Sequence, residues 1–203
     1  FKHWELLIID NNSKNLYYKK IKSYKDKRIR YFRIQNKGII AKSRNLGVKK
    51  SKYNWIAFLD SDDYWVNKKL ENIRWYISNK KADLFYHNMG IDQIKSNNKK
   101  KYLYDGKLKI NKPIFDNLIL YGNKIPQSSV VVKKKLIKKV KLISEKKDLV
   151  TWEDFDLWIK ISKITNKFYF IKKKLGIYWI GEENFYKLKN NIKIINNFEN
   201  HYN

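Results

Sequence analysis

Short apolar runs, each closed by polar turn residues, recur along the first 90 residues of the chain. They show little alternation of apolar and polar positions, which predicts strands buried on both faces of a sheet. The pattern places strands at residues 4–9, 29–34, 55–59 and 82–87, and helices at residues 16–24, 39–50 and 66–79. Because strands and helices alternate over short links, we expect an α/β fold with right-handed crossovers and a mainly parallel sheet.

The alternation stops after Gly90. Residues 91–112 are rich in lysine and asparagine, which predicts an exposed hairpin or a mobile loop. Beyond them, periodicity predicts helices at residues 114–120, 136–140, 151–164 and 185–198, and strands at residues 128–132, 168–171 and 175–180. The change of pattern therefore divides the chain near residue 90.

Composition limits the class of protein. Hydrophobic residues make up 43% of the 203 residues, enough to form a core, and no apolar run is long enough to cross a membrane. The absence of cysteine excludes disulfides and thiolate metal sites, and it fits a reducing compartment. The sequence does not begin with methionine, so we expect it to be an excerpt of a longer protein.

The net charge of +27 needs an explanation of its own. Lysine is far more common than arginine, and asparagine, isoleucine and tyrosine are abundant, so codon usage in an AT-rich genome is one interpretation. An anionic membrane surface as partner is a second interpretation. Nucleic acid is not expected as a partner, because basic residues are scattered over every segment and no nucleic-acid-binding motif accompanies them.

Three carboxylates stand out against this basic background: Asp60, Asp62 and Asp63 directly follow a predicted strand. Asp10 ends the first predicted strand in the same way, and ligands bind at the carboxyl ends of parallel strands, so both acidic sites would face one edge. An Asp-x-Asp pair there can offer oxygens to Mg²⁺ or Mn²⁺, which then holds phosphate. Alternatively, Asp62 and Asp63 begin the next helix, whose dipole favours negative charge.

Six short motifs follow one another along the chain. They are Ile8-Ile9-Asp10-Asn11-Asn12-Ser13, Asn36-Lys37-Gly38, Ser43-Arg44-Asn45-Leu46-Gly47, Phe58-Leu59-Asp60-Ser61-Asp62-Asp63-Tyr64-Trp65, Lys69-Leu70-Glu71 and Glu153-Asp154-Phe155-Asp156-Leu157-Trp158. In this order they resemble the family 2 glycosyltransferases with the GT-A fold. The resemblance covers nearly the whole chain and is densest over residues 4–71 and 151–160. Several motifs in the right order are more specific than any single one.

The resemblance implies a GT-A fold, in which a Rossmann-like, mainly parallel sheet flanked by helices joins a smaller, mixed acceptor-side region. It assigns residues 1–90 to a nucleotide-sugar-binding half, residues 91–181 to an acceptor-binding and catalytic-base half, and residues 182–203 to a basic C-terminal helix. The family usually begins with a central strand and a Pro-x-Tyr-Asn-type turn, and this sequence starts after that element.

The resemblance also implies a binding site for the donor. The residues in contact with the nucleotide-sugar would be Asp10, Asn11, Arg44, Asn45, Asp60 and Ser61. Asp10 would contact the base or ribose, and Asp60 the ribose or donor sugar. Asp62 would bind the Mn²⁺ or Mg²⁺ that bridges the diphosphate. Asn11 replaces the family's usual second aspartate, so it can donate and accept hydrogen bonds but supplies no charge.

The later acidic motif would supply the catalytic base, Asp154, with Trp152 and Glu153 on the acceptor side. The local sequence allows another interpretation, because Thr151 followed three residues later by Asp154 has the spacing of a capping box. The two interpretations are compatible, since a helix N-terminus can project a carboxylate into a cleft.

The implied activity is inverting, metal-dependent transfer of a sugar from a nucleotide-diphosphate donor, a UDP-sugar, to a hydroxyl of a surface glycan or lipid-linked acceptor. A non-catalytic nucleotide-sugar-binding module, or a fragment of a larger glycan synthase, is the alternative. We expect a cytoplasmic protein whose basic surface could hold it peripherally at the inner membrane face. Glu182 and Glu183 stand where many relatives carry basic or histidine residues near the diphosphate, and a metal-binding role for them stays open.

Overall fold

The computed structural model describes residues 2–14, 16–95, 98–103 and 109–180. Its strands are β1 (Leu6–Asp10), β2 (Ile29–Arg33), β3 (Trp55–Ala57), β4 (Tyr64–Trp65), β5 (Leu84–Lys95), β6 (Asn98–Leu103), β7 (Val131–Lys133) and β8 (Phe168–Ile180). Its helices are α1 (Leu16–Ser23), α2 (Ile40–Lys50), α3 (Lys69–Asn79), α4 (Ile114–Tyr121), α5 (Lys134–Lys139) and α6 (Glu153–Ser162), with 3₁₀ turns at Gln127–Ser129 and Lys147–Leu149.

Most predicted elements have a counterpart within a few residues of their expected bounds. The strands predicted at residues 168–171 and 175–180 form one continuous strand, β8 (13 residues), because it pairs with the 12-residue β5 across a local irregularity in register. Residues 91–112 contribute an antiparallel pair, β5 with β6, which confirms the predicted hairpin. The C-terminal helix, together with Glu182 and Glu183, lies outside the described residues.

The strands form two sheets. β1 and β2 pair in parallel, while β3-β7-β5-β8-β4 form a second sheet in that order, with β6 beside β5. In the second sheet β5 and β8 are parallel, and the other described pairs are antiparallel. The α/β fold is confirmed with one correction: the sheet is mixed, not mainly parallel. β7 pairs antiparallel with both β3 and β5, and hydrophobic periodicity carries no information on strand direction.

The resemblance implies a further central strand, and no strand pairing joins β1 to the larger sheet within the described residues. β5 runs straight through residue 90 and pairs with β8 on both sides of it. The boundary expected there therefore falls inside one strand, and the division into a nucleotide half and an acceptor half stays a prediction.

Both faces of the larger sheet are covered, as the uninterrupted apolar runs predict. Successive side chains of a strand point to opposite faces, so Leu84 and Tyr86 join one buried cluster and Phe85 joins the other. The first cluster includes apolar residues of α2, α4, α5 and α6, and the second includes Ile73 of α3. In the part of the chain that the structure describes, no helix combines the length and apolar character of a membrane span.

Candidate functional site

The acidic loop (residues 60–63) lies between β3 and β4, and a distant serine fixes its shape. Ser128, in the first 3₁₀ turn, accepts a hydrogen bond at Oγ from the backbone N–H of Asp60, at 2.9 Å. The same side chain hydrogen-bonds the carboxylate of Asp63, which also accepts the backbone N–H of Trp179 at 3.1 Å. Burial raises the pKa of Asp63 to about 6, although both bonds oppose the shift. Asp63 is therefore built into the scaffold.

A buried lysine supports this loop. Lys69 is 1% exposed, and its ammonium donates to the backbone carbonyl of Ser128 at 2.9 Å. It also lies 3.7 Å from the centre of the Trp65 ring, whose Nε1 donates to the same carbonyl at 2.9 Å. Burial lowers the pKa of Lys69, and the negative charge of Asp63 opposes that shift. Ser128 thus joins the acidic loop to a buried amine and an aromatic ring.

Arg44 links the acidic loop to the second acidic motif. Its guanidinium donates to Oδ1 of Asp60 at 2.7 Å and to Oε1 of Glu153 at 2.5 Å. The side chains of Arg44 and Glu153 are largely shielded from solvent, with 14% and 5% exposed. Burial would lower the pKa of Arg44, but the charges of Asp60, Glu153 and Asp154 raise it. The carboxylates of the two motifs therefore meet around one fixed cation.

The charges of Arg44, Glu153 and Asp60 also act on Asp154, which has no ion-pair partner of its own among the described residues. Its Oδ1 accepts the backbone N–H of Phe155 at 2.7 Å, and its Oδ2 lies 3.4 Å from Nδ2 of Asn123. Burial raises the pKa of Asp154 to about 7, with the charge of Arg44 opposing the shift and that of Glu153 adding to it. A carboxylate with a pKa near neutrality is suited to take and release a proton.

The capping-box interpretation of residues 151–154 is wrong. The N-cap of α6 is Trp152, which makes no side-chain capping bond, and Thr151 has a φ of 77°. Because Thr151 lies outside the helix entry, its hydroxyl cannot cap the first turn as the motif requires. The carboxylate of Asp154 is consequently not engaged in a capping box.

Tyr178 belongs to the same cleft, and sequence analysis did not identify it. Its side chain is 40% exposed on β8, whereas the neighbouring Ile177 is buried on the other face. Burial raises the pKa of the Tyr178 phenol, and the negative charges of the acidic loop and of Asp154 raise it further. The phenol therefore lies where the fields of both acidic motifs overlap. Strand alternation predicts that Tyr178 faces away from Ile177 but not what it faces.

The predicted nucleotide end of the site is organised by local bonds. Asp10 accepts the backbone N–H of Ser13 at 3.0 Å and the hydroxyl of Tyr31. Burial opposes the shift, but these bonds and the charge of Arg33 lower the pKa of Asp10. Asn11 accepts the backbone N–H of Asn36 at 2.9 Å. The ends of β1 and β2 are thus held together, with Asn11 exposed beside them.

The structure brings together Arg44, Asp60, Glu153 and Asp154 of the predicted site. Asn45 is 2% exposed, and its amide bonds the backbone N–H and carbonyl of Ile143 and the carboxylate of Glu145.

These bonds give Asn45 a structural role, and its contact with a donor stays a prediction. Glu153 is likewise buried, and Trp152 packs 5.9 Å from the ring of Phe155. Their predicted acceptor contacts stay predictions too.

The donor set offers a divalent cation few but suitable ligands. Asp62 is exposed and makes no hydrogen bond to another described residue, and Oδ2 of Asp60 is not used by Arg44. Among the described residues, no cluster of three or more acidic, histidine or cysteine ligands occurs. Mg²⁺ and similar ions are commonly held by one or two carboxylates together with substrate phosphates and water, so the residues fit a cation that arrives with a diphosphate.

The chain is similar in sequence to known glycosyltransferases. Residues 1–139 match the family model described as glycosyl transferase family 2. The UDP-Glc:α-D-GlcNAc-diphosphoundecaprenol β-1,3-glucosyltransferases WfaP and WfgD of Escherichia coli are similar in sequence. WfaP is 28% identical over 161 residues, covering 79% of this chain and 59% of WfaP. WfgD is 29% identical over 167 residues, covering 82% of this chain and 61% of WfgD. The chain thus spans about three fifths of either relative.

Solved structures share the fold. S. aureus TarS 1-349 in complex with UDP superposes with a TM-score of 0.65 at 18% identity, over 91% of this chain and 53% of that one. The complex of the same fragment with UDP-GlcNAc gives a TM-score of 0.67 at 17% identity, over 87% and 49% of the two chains. At this level of identity the likeness establishes the GT-A fold and nothing about ligands.

Proposed function

Because the chain belongs to glycosyl transferase family 2, we propose that it moves a sugar, with inversion, from a UDP-sugar to a hydroxyl of a lipid-linked glycan. The proposal extends to the roles of individual residues. Asp10 and Asn11 bind the nucleoside end of the donor, Asp60 and Ser61 the ribose and donor sugar, and Asp154 acts as general base. In this scheme the segment before residue 90 holds the donor, and the segment after it holds the acceptor.

The Arg44 bridge is the observation that supports the proposal most strongly. It holds Asp60 and Glu153 on one guanidinium, so Asp154, the next residue after Glu153, lies beside the acidic loop. The charges of both Arg44 and Asp60 act on Asp154. Transfer by single displacement needs two separate acidic groups, one at the leaving diphosphate and one at the acceptor hydroxyl. The bridge provides that pair in one cleft.

The proposed reaction is a single displacement at the anomeric carbon. Asp154, as carboxylate, accepts the proton of the acceptor hydroxyl while that oxygen forms its bond to the carbon. The bond from the carbon to the diphosphate oxygen breaks, and its electron pair leaves with the diphosphate. Attack from the side opposite the leaving group inverts the anomeric configuration. Arg44 keeps Glu153 neutralised by its own charge, so that Asp154 is the carboxylate left to take the proton.

The carboxylate of Asp62 and Oδ2 of Asp60 would hold Mg²⁺ or Mn²⁺. Bound there with the diphosphate, the cation supplies Lewis-acid neutralisation of the negative charge that develops on the leaving group. Tyr178 adds a neutral hydroxyl donor at the edge of the same cleft. The scaffold bonds of Ser128 keep the acidic loop in one conformation for this purpose.

The acceptor class is proposed from the relatives. The printed names of WfaP and WfgD specify a GlcNAc residue on diphosphoundecaprenol as the group that receives glucose. A lipid-linked acceptor of this kind is presented at a membrane surface, where a chain of net charge +27 would be attracted to anionic lipid. We therefore place the protein peripherally on the cytoplasmic face of the inner membrane.

A transfer assay tests the proposal. The full chain is incubated with radiolabelled UDP-glucose and a GlcNAc-diphosphate lipid, with Mn²⁺, with Mg²⁺ or with a chelator. We expect a labelled lipid product only when a divalent cation is present, and a β linkage by NMR, since UDP-glucose is the α anomer. A chain that shows a metal-dependent thermal shift with UDP-glucose, but yields no product with any donor or acceptor tried, would instead be a nucleotide-sugar-binding module.

A further inference from the structure

The C-terminal turn of α4 exposes three consecutive large apolar residues. Ile119, Leu120 and Tyr121, here called the α4 lip, are 45%, 72% and 62% exposed. Ile114 and Leu118 of the same helix are fully buried, so α4 is anchored in the core while its last turn stands in solvent. Soluble proteins expose single apolar residues everywhere, whereas three large ones in a single helical turn make a candidate contact surface.

The α4 lip lies next to the acceptor side of the site. The chain leaves α4 at Gly122, and the following residue, Asn123, places its amide nitrogen 3.4 Å from Oδ2 of Asp154. Only Gly122 stands between the lip and Asn123, the residue whose side chain approaches the proposed base. Whatever the lip contacts is brought close to the hydroxyl that Asp154 would deprotonate.

Positive charges accompany the lip. The ammonium of Lys124 lies 4.6 Å from the centre of the Tyr121 ring, and Lys109 and Lys112 are exposed before the other end of the same short helix. The carboxylate of the helix itself, Asp116, lies in its first turn, at the end away from the lip. Lysine side chains beside exposed aromatic and aliphatic groups are typical of surfaces that lie in the headgroup region of a membrane, with the ammonium reaching phosphate.

We propose that the α4 lip inserts into the surface of an anionic bilayer and thereby places Asp154 at the headgroup of the lipid-linked acceptor. This inference rests on the proposed function, because it identifies the surface from which the acceptor would enter. Leu120 and the ring of Tyr121 would enter the boundary between headgroups and acyl chains, and Lys109, Lys112 and Lys124 would pair with lipid phosphates.

A bilayer fits the lip better than a protein partner does. A stable protein interface buries about 1,000 Å² or more, and three side chains on one helical turn cannot supply that area. Membrane insertion needs no such area when charge attraction contributes, since each basic residue near an anionic surface adds to binding. The overall charge of +27 attracts the protein to an anionic surface in any orientation. Insertion of the lip would favour the one orientation in which α4 faces the bilayer.

Vesicle co-sedimentation of the full chain tests the inference without any turnover. Vesicles contain phosphatidylglycerol and phosphatidylcholine, and binding is compared for the wild type, the double variant Leu120→Gln/Tyr121→Ser, and Trp75→Gln. Trp75 is a matched control because it is 54% exposed on α3, against the opposite face of the sheet, with Lys80 near its ring. We expect the double variant to lose about tenfold in partitioning and the control to lose almost none.

Salt and a second variant make the outcome interpretable. At about 1 M salt, where charge attraction is screened, the wild type should retain residual binding that the double variant lacks. Leu120→Trp should bind at least as tightly as the wild type, because tryptophan favours the interface. Circular dichroism establishes that each variant is folded. Equal binding of the wild type and the double variant, or no binding of the wild type at low salt, would overturn the inference.

Activity then separates this inference from the proposed function. With an acceptor embedded in the same vesicles, the double variant should transfer sugar more slowly, and with a short-chain, water-soluble GlcNAc-diphosphate acceptor it should match the wild type. If the wild type transfers to neither acceptor, the proposed function fails, while the vesicle result still decides the role of the lip. If the double variant slows equally on both acceptors, the lip acts within the site and not at a membrane.

Discussion

The two acidic motifs of the site are built in the same way but end in different environments. Each motif combines carboxylates that are bonded into the scaffold with one that has no ion-pair partner among the described residues. Asp60 and Glu153 share the guanidinium of Arg44, whereas Asp62 and Asp154 have no ion pair with a described residue. Asp62, however, is exposed to solvent, whereas Asp154 is half-buried, and this burial raises its pKa to about 7. Exposure thus separates a carboxylate suited to a cation from one suited to a proton.

This difference has a simple physical origin. α6 is buried over most of its length, so its first turn starts inside the protein, whereas the acidic loop follows a strand that ends at the surface. A carboxylate in the first turn of α6 is partly desolvated. A carboxylate in the acidic loop keeps its hydrating water until a ligand displaces that water. The same residue type therefore acquires two chemical roles from its place in the fold.

The substitution Asp154→Asn should have the largest effect, because it removes the proposed base without changing shape. We expect kcat for sugar transfer to fall about a thousandfold, within the range of general-base contributions. Binding of UDP-glucose, measured by thermal shift with Mn²⁺, should remain. The control is Asp148→Asn, an exposed aspartate in the 3₁₀ turn before α6. Full activity of the Asp154→Asn variant would assign the base to another group.

Removing the shared cation should have the next largest effect. Arg44→Ala leaves Asp60 and Glu153 without their partner, and breaking a buried pair in this way costs about 3 kcal/mol in the free energy of unfolding. Arg44→Lys keeps the charge but cannot contact both carboxylates with one planar group, so its loss should be smaller. Urea unfolding measures both.

The double variant Arg44→Ala/Glu153→Gln is the sharper control for that experiment. If Arg44→Ala destabilises the protein because the buried charge of Glu153 loses its partner, Glu153→Gln should recover part of the free energy of unfolding. A double-mutant cycle measures that recovery. Additive losses would mean that the two side chains do not depend on one another. In that case the bridge would not be what holds the two acidic motifs together.

The same comparison shows what sequence can and cannot predict. Asp62 and Asp154 are identifiable from short motifs in a given order, because each motif is local. Arg44 as a bridge, Ser128 as a clamp and Tyr178 as a neighbour of both motifs are not identifiable in this way. Their contacts join residues far apart in the chain, and they depend on how β5, β7 and β8 are ordered in the sheet. Apolar periodicity predicts the strands but not their directions.

Asp62→Asn should weaken binding of the divalent cation and leave proton transfer to Asp154 intact. We expect about a hundredfold loss of transfer and loss of the Mn²⁺-dependent part of the UDP-glucose thermal shift, because a neutral amide is a poor ligand for a hard cation. Stability should change little, since Asp62 is exposed. A destabilised Asp62→Asn variant, or one with an unchanged response to Mn²⁺, would show that the two carboxylates are not divided as proposed.

The smallest predicted effect concerns pH and isolates the burial of Asp154. Its pKa is about 7 in the folded protein and near 4 in an unfolded chain, so between these values the folded state binds more protons than the unfolded state. Stability contributed by Asp154 must then fall as pH rises from 4 to 7 and stay level above 7. Asp154→Asn removes this dependence.

Relative to the wild type, the Asp154→Asn variant should therefore gain about 1 kcal/mol in the free energy of unfolding between pH 4 and pH 8, a figure reduced from the full shift for solvent screening. Taking the difference between the two proteins cancels Asp63, whose pKa is also raised by burial. In the same interval kcat/KM of the wild type should increase with pH, because the base acts as a carboxylate. A stability difference that is constant with pH would mean that Asp154 is hydrated like Asp62, and the distinction between the two motifs would disappear.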